Sequence, residues 1–85
     1  MATLRDKLAR YAHSAWSGWM KYMFSKSIIR KDGSLTIPPD LVRRWQRQMH
    51  TAYADLPSQE QKSDLDEADR MLEIMEASSE YYESD

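Results

Sequence analysis

The chain has 85 residues, 41% of them apolar and 31% charged, with no cysteine and a net charge of −2 that divides unevenly. Residues 1–50 carry ten Lys/Arg against three Asp/Glu, a net of +7, while residues 51–85 carry two against eleven, a net of −9. This length supports one domain with one small core and excludes a large catalytic architecture, and the lack of cysteine excludes disulfides and thiolate metal sites.

The first element is a helix over residues 3–25. Leu4, Leu8, Tyr11, Ala12, Ala15, Trp16, Trp19, Met20 and Met23 repeat at the spacing of one broad helical face, with Arg10, Ser17 and Lys21 outside it. Gly18 interrupts this helix and is expected to admit a neighbouring backbone or a flat ligand. Residues 27–37 predict a short hairpin or extended loop, because two β-branched segments flank Asp32-Gly33, a pair suited to a tight turn. Pro38-Pro39 ends the extended segment and presets a helix start.

A second helix is predicted from about Pro39 to about His50, burying Leu41, Val42, Trp45 and Met49. Residues 51–57 form a connector, and Ser58 with Gln61 reads as a capping box opening a third helix. That helix places Leu65, Ala68, Leu72 and Met75 on one face, with Met71 at its edge. Residues 77–85, polar and acidic, read as a disordered tail, which sets the helical domain at 1–76. The expected fold is therefore mainly α: a three-helix single domain with a short β-hairpin between helices 1 and 2. The three tryptophans, several methionines and a few leucines are expected to form its core.

Catalysis finds little support in these residues. His13 and His50, the two histidines, have neither a triad pattern nor metal-ligand spacing around them, and no glycine-rich phosphate loop is present. A non-enzymatic protein without cofactor or metal is expected. Arg43-Arg44-Trp45-Gln46-Arg47 looks like a basic helix bearing an aromatic residue, but a net acidic chain lacks the footprint of a nucleic-acid binder. No apolar run approaches the ~20 residues that a membrane span needs. Arg5, Asp6 and Lys7 leave no room for a signal peptide, so a cytosolic chain is expected.

Two segments carry a family resemblance. Leu8 to Trp16, with the pair His13 and Trp16, and Tyr53 to Ala68, with Tyr53, Leu56, Pro57, Glu60 and Asp64, resemble the ryanodine-receptor (RyR) repeat domain across roughly residues 8–75. The middle, from Lys26 to Gln48, departs from the receptor repeats. The chain is similar instead to small stand-alone phage proteins with the stretches WSGWMKY, here residues 16–22, DGS followed by TIP, and RWQRQ.

The resemblance implies an RyR-like fold and a module that recognises a nucleotide-derived signalling molecule, such as an ADP-ribose-like or cyclic nucleotide. A free-standing phage version would act in the host cytoplasm as a sponge against antiviral defence, with a homo-oligomer as a further expectation. In such a site Trp16 and Trp19 would offer the flat platform, and His13, Gln46 and Tyr53 the polar edges. Lys21, Lys26, Arg43 and Arg47 would meet the phosphates. The alternative is a protein-binding inhibitor of a host defence enzyme, of the anti-CRISPR or anti-restriction type, whose acidic half fills a basic groove.

Overall fold

A computed structural model describes residues 2–83. Its elements follow the predicted order: α1 (Leu4–Lys26), β1 (Ile28–Ile29), β2 (Leu35–Thr36), α2 (Pro39–Met49), a 3-10 turn (Tyr53–Asp55) and α3 (Ser58–Glu83). The protein is thus mainly helical, with three helices and an antiparallel hairpin between the first two.

Each start and stop has a local cause. Thr3 opens α1 with a capping box that the sequence reading missed: its Oγ1 accepts from the Asp6 N–H at 3.1 Å, and Asp6 Oδ2 accepts from the Thr3 N–H at 3.2 Å. The hairpin pairs Ile28 with Thr36 and Ile29 with Leu35. The Arg30 N–H donates to the Ser34 carbonyl at 2.8 Å, so the loop is the three residues Lys31, Asp32 and Gly33. Gly33 alone takes a left-handed φ, +88°, as expected for a three-residue loop closed by a glycine bulge rather than a two-residue turn. Asp32 Oδ1 anchors it by accepting from both the N–H and the hydroxyl of Ser34.

Pro39 begins α2 at a position where a missing N–H costs nothing. At the start of α3, Gln61 does not close a capping box with Ser58. Its side-chain amide donates to the carbonyls of Tyr53 and Ala54, stapling the connector to the helix. No glycine or proline follows Pro57, so nothing in the sequence interrupts α3, and it continues as helix through 77–83. The sequence reading had placed a disordered tail there; Ser84 and Asp85 lie outside the described residues.

The expected core is corrected by the structure. Among the described residues none is fully buried. Trp16 and Trp19 are 58% and 60% exposed, and Met49 is 78% exposed. The helices form a spread layer, 56 × 35 × 16 Å, with a radius of gyration of 17.4 Å, against about 12 Å for a compact chain of this length.

The physical reason lies in how α3 is turned. It packs on α1 through the side bearing Glu67, Arg70 and Ile74. Most of its apolar stripe therefore stays uncovered: Leu65 and Leu72 remain 50% and 52% exposed, and only Ala68 is half-buried. The second helix meets α1 at an aromatic pair, Tyr22 and Trp45, whose ring centroids lie 6.3 Å apart and whose planes are inclined by 56°.

Candidate functional site

The α1–α3 contact leaves an open groove of about 740 Å³. One wall is built by α1 from Tyr11, Ser14, Ala15, Gly18 and Trp19, residues that recur every three or four positions and so share one side of the helix. The other wall is α3, with Glu67, Arg70, Glu73 and Ile74. Tyr11 crosses the floor, its hydroxyl donating to the Glu67 carbonyl at 3.5 Å, the long limit of a hydrogen bond.

Gly18 leaves the α1 wall open at its middle. A Cβ at this position would meet no atom within 4 Å, so the space above the backbone is empty. Beside it, Trp19 turns an exposed indole toward that space. A flat ring entering here finds a backbone without a side chain and an aromatic wall. Arg70 supplies a fixed positive charge, while Glu67 and Glu73 are acceptors for N–H groups. The volume falls within the range of roughly 300–1,000 Å³ that small-molecule sites occupy.

The residues singled out from sequence divide among several places. Trp19 lines the groove, and Lys21, three positions beyond Gly18, is exposed on the side of α1 that also carries Ser14. His13 and Trp16 lie together on a different side of α1, their rings stacked at 6.1 Å and 25° and exposed to solvent. Lys26 places its Nζ 5.7 Å from the centre of the Tyr22 ring, a cation–π contact at the end of α1. Arg43 and Gln46 are exposed on α2. Tyr53 lies in the 3-10 turn, where its carbonyl is taken by Gln61.

Arg47 has a partner within the chain. Its Nη2 donates to Glu60 Oε2 at 2.6 Å. That hydrogen bond is the main reason the Glu60 carboxyl is held below its usual range; desolvation opposes it, and Gln48 and the charges of Arg47 and Arg44 reinforce it. The arginine is thereby committed to joining α2 and α3.

Tyr11, Ser14, Arg70 and Glu73 were absent from the sequence-based site. Gly18 was the available signal, since the sequence reading noted that it admits a flat ligand. The α3 residues gave none, because nothing local shows which side of α3 faces α1.

Compared with known proteins, the chain matches no family model, no curated protein and no solved structure. Among the described residues, no helix is long and apolar enough to cross a membrane, and no three His, Asp or Glu side chains converge on a metal position.

Proposed function

We propose that the protein is a non-enzymatic binding module for a nucleotide-derived signalling molecule, ADP-ribose-like or cyclic, taken up in the groove between α1 and α3. The observation that carries this reading is the open space above Gly18 beside the exposed Trp19 indole, with Arg70 on the facing helix. A base stacks on the indole over the glycine, and its amino groups meet Glu67 or Glu73. The phosphates turn to Arg70 and outward toward Lys21 at the rim. The resemblance of the terminal segments to RyR domains and of the middle to small phage proteins supports the same reading. It points to a sponge that withdraws a host defence signal in the host cytoplasm.

The experiment is native mass spectrometry of the full chain with ADP-ribose forms, cyclic di- and trinucleotides and mononucleotides. A bound nucleotide is expected, with affinity reduced at least tenfold in Trp19→Ala and in Arg70→Ala, a loss of about 1.4 kcal/mol or more. Binding by neither wild type nor any variant across the panel overturns the reading.

A second reading is favoured by one further observation. Asp64, Asp66, Asp69, Glu73 and Glu76 are all exposed along α3, an acidic surface suited to the basic groove of a host enzyme. An inhibitor of this kind loses affinity steeply as salt rises and when these acids are neutralised, whereas stacking on Trp19 does not depend on them all.

A further inference from the structure

The apolar stripe of α3 is regular. Leu65, Ala68, Leu72 and Met75 alternate at spacings of three and four, a repeat of 3.5 residues that makes a helix–helix seam. Leu65, Leu72 and Met75 stand exposed, because α1 occupies a different side of the same helix. On α1 a second stripe is open in its first half: Ala9, Ala12, Trp16, Met20 and Met23 lie about 100° round the helix from the groove residues Tyr11 and Ala15, with Met20 and Met23 half-buried. Ala9, Ala12 and Trp16 are exposed there. A helix that is apolar on two sides calls for two partners, and α3 supplies one.

We infer that the α3 stripe of one chain packs on the outer α1 stripe of a second copy of the same chain, and reciprocally. Area is sufficient for such an interface, and charge favours this occupant. The accessible surface is 7267 Å², whereas a folded monomer of this mass exposes about 5,200 Å². The excess, about 2,000 Å² per chain, matches what each partner contributes to an obligate homodimer of roughly 2,000–5,000 Å² in total.

Charge then selects the pairing. Asp64, Asp69 and Glu76 flank the α3 stripe, so two α3 helices face to face would set acid against acid. The α1 helix carries five Lys/Arg, namely Arg5, Lys7, Arg10, Lys21 and Lys26, against the single acid Asp6. Of these, Arg5 lies on the outer stripe and Lys26 at one edge of it, with Lys7, Arg10 and Lys21 toward the groove side. The outer stripe thus meets the acid-flanked α3 stripe with positive charge, and reciprocal α3-on-α1 contacts close as a two-fold dimer. The inference does not depend on nucleotide binding.

Sedimentation equilibrium of the full chain without ligand tests it. The expected mass is at least twice 10.0 kDa, with a thermal midpoint that rises between about 1 and 100 μM protein. Leu65→Glu with Leu72→Glu should reduce the mass to that of one chain. Because that double variant can also lose structure, Asp69→Lys provides a second measurement at an exposed position. It should weaken association at least tenfold while the helical circular dichroism of the associated form is kept. A wild-type monomer with cooperative, concentration-independent unfolding overturns the inference, as does a double variant of unchanged mass. Tighter association in Asp69→Lys would overturn the α3-on-α1 pairing in favour of α3 on α3.

Discussion

Arg47 and Glu60, thirteen residues apart, are joined by a 2.6 Å hydrogen-bonded ion pair that ties the last turn of α2 to the first turn of α3. The Glu60 side chain is 13% exposed and the Arg47 side chain 46%, so the pair sits at the edge of the protein with its carboxylate tucked in. Among the described residues it is the one ion pair between these helices.

A pH dependence follows. The Glu60 carboxyl is held low, chiefly by the Arg47 hydrogen bond. A depressed carboxylate contributes stability that is present above its unfolded value, about 4.3, and is lost as pH falls through the lower folded value. NMR titration of the Glu60 side chain should therefore find it titrating below the ordinary glutamate range. In Arg47→Ala its midpoint should return upward. A Glu60 that titrates in the ordinary glutamate range would mean that the ion pair does not form in solution.

Gly18 offers a test of the groove itself. A methyl group there meets nothing within 4 Å, and alanine is favoured over glycine within a helix by about 1 kcal/mol. Gly18→Ala should therefore raise the thermal midpoint, by about 4–8 °C for a domain of this size. Gly18→Leu should keep the helix but fill the space beside Trp19, abolishing nucleotide binding. If Gly18→Ala instead lowers the midpoint, another part of the protein occupies that space.

The hairpin depends on Gly33 for a different reason. Nothing crowds this residue, but its φ of +88° is costly for any residue with a Cβ. Gly33→Ala should cost about 1–2 kcal/mol of local stability. Hydrogen exchange at the Arg30 amide, which bonds the Ser34 carbonyl across the loop, should report that loss while the α1 amides are unchanged.

The contact between Tyr22 and Trp45 sets how firmly α2 is held. An aromatic pair of this kind is worth about 0.5–1.5 kcal/mol beyond the area it buries. Trp45→Ala should therefore lower the thermal midpoint by several degrees, while the Trp19 indole, one helical turn before Tyr22 on α1, still lines its groove and keeps its binding. Loss of nucleotide affinity in Trp45→Ala would move the site toward α2, where Arg43 and Gln46 stand exposed.

By itself the sequence determined the elements and their order. The apolar repeat makes α1, Asp32-Gly33 turns the hairpin, Pro39 starts α2, and the unbroken stretch after Pro57 makes α3. These signals are local: each depends on a backbone preference or a periodicity within a few residues. The tertiary structure alone decided which stripes meet. Periodicity groups Leu65 with Leu72 and Glu67 with Ile74, but the rotation of α3 about its axis is fixed by contacts between residues more than fifty positions apart, as Tyr11 and Glu67 are. That rotation turned the expected core of α3 outward, placed Trp19 over a groove with Arg70 opposite, and left Arg47 bound to Glu60 instead of free at a ligand site.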